Sequence, residues 1–387
     1  MRIAYVGDFL NHGKSLQISG TTIVFLLSTF ENIDKIDVYC PTKDGNEDTS
    51  FQPNKVSLHE SYRYNDPVSI FSLRKIPLCD YDIVIFNLLP TGFGSSSISN
   101  MIGLLVPLYA IYIKKCKNIR VIYHNSAYTN DIEKLGYNSY YDRMRAFILK
   151  IVEKRIFKSI PTFFFLELYK QRIDDAIGKN LVKVLNARYF EAVATVFLNN
   201  SQNLEFISRT VNKIPVVLLH GSWGPQKNLE LGLETMRKLK ENGFNFHVII
   251  AGGMNHHFPG YEKEFYDLLN RYKDVVAEYL GRVSEKEIME LFLRSDVVLL
   301  PYNTPGGHSG VLEQAMFFEV PTVAIDFPEY REQSKGKDFV KFADGEKEFF
   351  DYVRSALVEF ERLGETIPIP VKEKIKYSEN NTSSLIE

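Results

Sequence analysis

Residues able to do chemistry gather at the ends of short apolar runs in this 387-residue chain. Gly306, Gly307, His308, Ser309 and Gly310 follow the run Asp296 to Pro301, and a helix opens near Ser309. The free N–H groups of such a helix start, reached through permissive glycine backbone, can cradle phosphate or other anionic oxygens, and Ser309 adds a hydroxyl. A purely structural turn is the competing reading. His124 closes the run Arg120 to Tyr123, where an imidazole either serves a site or is a satisfied polar residue. His256 and His257 are sequence neighbours whose side chains diverge on most backbones, and no third ligand is evident, so no metal is assigned. The first apolar run continues as Gly7-Asp8-Phe9-Leu10-Asn11-His12-Gly13, which lacks the dinucleotide fingerprint, and no phosphate-binding GxxxxGK[ST] loop occurs.

The elements that must position these residues alternate strand and helix. Ile3 to Val6, Ile36 to Cys40, Asp82 to Phe86, Arg120 to His124, Ile160 to Phe165 and Ala194 to Leu198 read as strands, with Ile23 to Phe30 helical in spacing. Pro41 to Pro67 is polar and reads as a long loop or small insertion. A second series holds strands at Val216 to Leu219, Phe246 to Ala251, Val275 to Leu280, Asp296 to Pro301 and Thr322 to Ile325. Helices Leu229 to Leu239 and Glu262 to Tyr272 intervene, and Ser284 with Glu287 forms a capping box. The expected fold is therefore α/β, with two doubly wound parallel sheets whose strand ends carry the site. The domains are expected at 1–205 and 206–360, followed by a segment 361–387 that packs back toward the first and ends in a frayed polar tail, Ser378 to Ser384.

Composition agrees with two cores. Hydrophobic residues make up 45%, enough for two, and 24% charged residues exclude wholesale disorder. A net charge of -2 argues against a nucleic-acid-coating protein. Cys40, Cys79 and Cys116 are few, odd in number and distant, which suggests a reducing compartment with neither a disulfide framework nor a zinc site. The N-terminus enters a strand-like run without an apolar leader core. Met101 to Ile113, interrupted by Pro107, is shorter than the ~20 residues of a spanning helix and reads as a buried or interfacial segment.

The ordered series Gly221-Ser222-Trp223-Gly224-Pro225-Gln226-Lys227-Asn228, Gly281-Arg282-Val283-Ser284, Asp296 to Pro301 and Glu313-Gln314-Ala315-Met316 resembles the retaining two-domain glycosyltransferases of family four. The resemblance is good over about Pro215 to Asp326 and looser before it. It implies the GT-B architecture, two Rossmann-like domains facing across a cleft, and a nucleotide-diphosphate sugar as donor substrate, with no cofactor. It also implies that Lys227 holds the pyrophosphate, by a charge-assisted hydrogen bond of ~1.5–3 kcal/mol, and that Glu313 accepts from the ribose hydroxyls. Ser222, Arg282, Val283, Gly306, Gly307, His308, Ser309 and Gly310 complete the donor side. Ser19-Gly20-Thr21, read as lying before the first helix, matches the small-residue turn facing the phosphate. His124 matches the histidine beside the transferred sugar, with His12 and Asn125 on the acceptor side. Two departures stand out: Pro305 occupies the position of a second glutamate, and Ser222 that of a phosphate-binding arginine.

These residues imply a retaining transferase that moves a hexose, UDP-linked by preference, to a glycan or lipid-linked acceptor. A non-catalytic or partner-dependent nucleotide-sugar-binding subunit and a sugar-nucleotide epimerase are the alternatives. Arg143 to Phe157 reads as an amphipathic helix with the stripe Met144, Phe147, Ile148, Ile151 and Val152 beside Arg143, Arg145, Lys150, Lys154, Arg155 and Lys158. That face either contacts an anionic membrane at its cytosolic side or buries its stripe in the core. The expected location is accordingly cytoplasmic, at the membrane face.

Overall fold

The computed structural model describes residues 1–9, 15–42, 53–129, 139–186, 188–198, 204–255, 258, 260–304, 307–359 and 365–387. The chain forms two compact units, 1–190 with 376–387 and 191–375. The chain passes from one to the other between Phe190 and Glu191, and the last twelve residues belong to the first unit.

The first unit holds seven strands: β1 Arg2–Val6, β2 Lys35–Pro41, β3 Val56–Tyr62, β4 Ile83–Leu88, β5 Ile119–Tyr123, β6 Thr162–Phe164 and β7 Val182–Val184. They form one parallel sheet in the order β3-β2-β1-β4-β5-β6-β7. In the second unit, β8 Phe206–Thr210 precedes β9 Val216–His220, β10 His247–Ala251, β11 Val276–Tyr279, β12 Val297–Leu300, β13 Thr322–Ile325 and β14 Val340–Ala343. β9 to β14 make a parallel sheet in the order β11-β10-β9-β12-β13-β14, and β8 pairs antiparallel with β15 Thr366–Pro370. The central strands are buried along their length, as apolar runs such as Val297-Val298-Leu299-Leu300 require when helices cover both faces. Both sheets reverse strand order beside their first strand, between β1 and β4 and between β9 and β12. Ligands of such sheets lie beyond the carboxyl ends at that point.

Several elements depart from the sequence reading. Ala194 to Leu198 is helical, within Phe190–Leu198, because five small and apolar residues in a row satisfy a buried helix as well as a strand. The polar stretch Pro41 to Pro67 contains β3, an edge strand whose outward positions tolerate Ser57, His59 and Ser61. The tail is the helix Val371–Thr382, with Ser378 and Thr382 wholly buried. Their polarity is absorbed by hydrogen bonds from Ser378 Oγ to Arg188 O (3.2 Å) and from Thr382 Oγ1 to Ser378 O (2.8 Å). Cys79 and Cys116, 37 residues apart, form a disulfide, which overturns the expectation of unbridged thiols and with it the argument for a reducing compartment.

The helix Tyr140–Ser159 settles one of two open readings, because its apolar stripe does not enter the core. It buries Glu153, Ile156 and Phe157, while Phe147 and Ile151 are 64% and 56% exposed and Met144 and Ile148 lie outward with them. It packs beside the helix Ser97–Tyr112, Tyr112 Oη meeting Ser159 Oγ at 2.5 Å, and that helix exposes Ile98 and Leu105, with Ile113 just beyond its end.

Candidate functional site

In the second unit the loop after β9 folds as a short 3-10 turn, Pro225–Lys227, before Asn228 takes the left-handed conformation (φ 44°) and the helix Leu229–Glu241 begins. Asn303, in the loop after β12, donates its N–H to Gln226 O at 3.1 Å and so ties the two strand-end loops together. Between them Lys227 Nζ sits 3.6 Å from the centre of the Tyr302 ring. Lys227 as a residue is half-buried, but its ammonium end lies in the interior, where desolvation pulls its pKa down to about 7 against the pull of Glu191. His220, at the end of β9, is held neutral, its pKa brought to about 4 by burial and by Lys227. A cation so placed is poised for an anionic ligand, because little water competes for it.

The helix Gly310–Phe317 follows the neighbouring strand β12. Ser309 caps it, its Oγ accepting from Leu312 N (3.3 Å), and Gln333 clamps Ser309 through bonds of 2.9 Å to its N–H and 2.7 Å to its carbonyl. Glu313, wholly buried, has its Oε2 bonded by the N–H of Glu191 (3.2 Å). Its Oε1 lies 3.2 Å from His308 Nε2 but has no hydrogen-bond partner among the described residues. Glu191 arrives from the helix Phe190–Leu198, and its carboxylate occupies the space beside Gly310 where a Cβ would stand only 1.4 Å from Glu191 Oε2. A side chain at position 310 would displace the Glu191 carboxylate. Burial, then the neighbouring Glu313, pushes Glu191 up to about 8. Burial works against the charge on His308, and Glu313 and Glu191 overcome it, leaving its pKa raised.

The structure thus brings Lys227, His308, Ser309, Gly310 and Glu313 to neighbouring strand ends of one sheet and adds Glu191, Gln333 and Tyr302, which sequence reasoning missed. Glu191 stands 122 positions before Glu313, so no local spacing signals it. Ser222 and Arg282 are exposed and Val283 half-buried in adjoining loops, with Gly307 buried beside His308. Pro305, Gly306, His12, His256 and His257 lie outside the described residues.

In the first unit, Gly20 falls inside the helix Ser15–Thr29, not before it, because that helix starts well ahead of Ile23. A Cβ there would stand 2.2 Å from Asp8 O and 2.4 Å from Tyr5 Oη, so the glycine lets the helix close onto the end of β1. His124 is buried, its Nε2 donating to Asn87 Oδ1 at 2.7 Å and its ring meeting Phe165 edge-on at 4.7 Å. Behind it, Glu153 accepts from Tyr123 Oη (3.0 Å), Ser126 Oγ (2.7 Å) and Ala127 N (3.0 Å), fixing the loop that carries Asn125. Burial raises Glu153 to about 7 in spite of those bonds.

Two parallel, Rossmann-like sheets are consistent with the GT-B architecture. Residues 200–358 match the model of the family described as glycosyl transferases group 1. Among solved structures, the chain resembles WaaG, a glycosyltransferase involved in lipopolysaccharide biosynthesis, at 12% identity and TM-score 0.59, over 99% of this chain and 95% of that one. It resembles sucrose-phosphate synthase from Thermosynechococcus elongatus at 12% identity and TM-score 0.64, over 99% and 94% of the two chains. Anabaena HepE in complex with UDP-glucose matches at 14% identity and TM-score 0.62, over 100% and 97%. No curated protein sequence matches the chain. Fold and family match together support glycosyltransferase activity in general, with a nucleotide-diphosphate sugar as donor.

Proposed function

We propose that the protein is a retaining hexosyltransferase that takes its sugar from a UDP-linked donor and passes it to a lipid-linked or glycan acceptor at an anionic membrane face. The observation that carries the donor half is the buried ammonium of Lys227 against Tyr302, with the capped helix start at Ser309 following the neighbouring strand. Charge developing on a departing diphosphate is stabilised there by a lysine and helix amides already in position. Glu313 accepts from the ribose hydroxyls, and Ser222, Arg282, Val283 and Gly307 serve the remaining donor side. His124, oriented by Asn87, donates to the transferred sugar, with Asn125 serving the acceptor. Gly20 serves the approach of the helix to β1 in this reading. HepE, a structural relative bound to UDP-glucose, supports uridine over guanosine and a hexose as the sugar.

The membrane half rests on the outward stripe of the helix Tyr140–Ser159. Exposed Phe147 and Ile151 stand among Arg143, Lys150, Lys154 and Arg155, the pairing that sinks into an anionic interface on the cytosolic side. No helix among the described residues is long and apolar enough to cross a membrane. In flotation with phosphatidylglycerol vesicles, Phe147→Glu with Ile151→Glu is expected to lower partitioning roughly hundredfold, since each large apolar side chain contributes about 1.5–3 kcal/mol when buried. Undiminished flotation contradicts membrane contact through this face.

The direct test supplies UDP-hexoses and lipid-linked acceptors on such vesicles and follows sugar transfer, with the product's anomeric configuration read by NMR. Transfer with retained configuration is expected. Nucleotide release without transfer would point to epimerase chemistry. Donor binding with turnover only after a partner is added would mark a partner-dependent subunit, the reading that Pro305 and Ser222 favour.

A further inference from the structure

The Cys79–Cys116 disulfide lies at the surface of the first unit, at the amino ends of its strands. It joins the 3-10 turn Leu78–Asp80, ahead of β4, to the stretch between the helix Ser97–Tyr112 and β5. Cys79 is exposed whereas Cys116 is buried, so a reagent arriving from solution meets the first sulfur. Both cysteines line a cavity of about 280 Å³, close to the ~300 Å³ at which small-molecule sites begin. Arg74, Lys75 and Lys114 line it as well, against one carboxylate, that of Asp80. Arg74 lies over the Phe71 ring at 4.3 Å, and its buried Nε has no hydrogen-bond partner among the described residues. None of the three cations is in an ion pair among the described residues. Unpaired cations beside an exposed disulfide sulfur draw an anion to the place of exchange and favour the thiolate that leaves.

We propose that Cys79 is a modification site for a small anionic peptide thiol of the glutathione class, which the cavity receives through Arg74, Lys75 and Lys114. The thiolate attacks Cys79 Sγ, the bond to Cys116 breaks, and Cys116 leaves as a thiolate that takes a proton from water. A second thiolate attacks the peptide sulfur of the mixed disulfide, releasing Cys79 and the oxidised peptide dimer. The small thiols are oxidised and the protein disulfide reduced in this two-electron exchange, and the oxidised dimer drives the same steps in reverse. Where a disulfide meets a reducing cytosol, exchange of this kind is its usual role. The site does not depend on the donor reading, which concerns strand ends of the other sheet.

The test incubates the full chain with reduced glutathione or with uncharged 2-mercaptoethanol, quenches with iodoacetamide and locates each adduct by peptide mass spectrometry. Glutathione on Cys79 and alkylation of Cys116 are expected. Arg74→Gln combined with Lys114→Gln should slow glutathione exchange roughly three- to tenfold and leave 2-mercaptoethanol exchange unchanged, and added salt should act on the parent in the same way. Circular dichroism checks the fold of the double variant. Cys116→Ser supplies a second measurement, since its Cys79 thiol should take up oxidised glutathione without any change to the cations. Adducts on Cys116 in place of Cys79, or no reaction until the chain is unfolded in guanidinium, overturn the site. So does glutathione exchange that the double variant leaves unslowed, or slows no more than exchange with 2-mercaptoethanol.

Discussion

Two glutamates, one in each unit, are wholly buried beside a strand-end loop, and they are satisfied very differently. Glu153 receives bonds from Tyr123, Ser126 and Ala127, enough to fill both oxygens. Glu313 receives one amide bond on Oε2, and its Oε1 faces the His308 imidazole at ion-pair distance, 3.2 Å. A carboxylate held by three neutral donors is tied to its loop, whereas one held by an amide and a titratable imidazole can exchange the imidazole for another donor. Glu153 is therefore a structural carboxylate that holds the His124 loop, and on the proposed reading Glu313 is the one that exchanges partners with a ligand.

The largest effect expected from this contrast is on stability. Glu153→Ala should cost about 3 kcal/mol, read from denaturant unfolding, because it strands three donors in the interior of the first unit. A loss below about 0.5 kcal/mol would make the network ornamental. Glu313→Gln should do the reverse, with little change in unfolding but donor affinity roughly tenfold lower, equivalent to about 1.4 kcal/mol. Equal losses of stability in the two variants would erase the distinction. Ser309→Ala removes a helix cap and should cost about 1 kcal/mol, measured by thermal unfolding.

A further effect concerns pH. Glu153 is raised from the ordinary 4.5 to about 7 by burial, with Ser126, Tyr123, Ala127 and Lys150 pulling the other way. A carboxyl raised on folding contributes stability that is full below pH 4.5 and is lost as pH climbs through about 7. Glu153→Gln should thus flatten the fall in melting temperature between pH 5 and 8, by an amount equivalent to ~1 kcal/mol or more. An unchanged slope would show that other groups set it.

Much of this was legible in the residues themselves. The strands at Ile3 to Val6 and Val297 to Leu300 announce themselves by apolar runs, and the Ser284–Glu287 capping box forms as its spacing requires. Lys227, Ser309 and Glu313 come to one sheet because topology places β9 beside β12. Glu191 was illegible: the run after it fits a strand as well as a helix, and its partners are distant in sequence. Glu153 did carry a signal. It shares a helical face with Ile156, Phe157 and Ile160 at spacings of three, four and seven, but the larger stripe of Phe147 and Ile151 reads more strongly and turns out to face outward. Polarity misled at the C-terminus for the same kind of reason, since Ser378 and Thr382 are buried through hydrogen bonds.

The central claim is that the Lys227 ammonium and the Ser309 helix start receive a nucleotide diphosphate. Isothermal titration of UDP into the parent chain and into Lys227→Met tests it most directly. UDP should bind the parent, and the variant should lose roughly 10- to 100-fold in affinity, equivalent to about 1.5–3 kcal/mol, while unfolding at least as stably because a desolvated charge is gone. Equal affinity in the two proteins, or no binding to the parent, would contradict it.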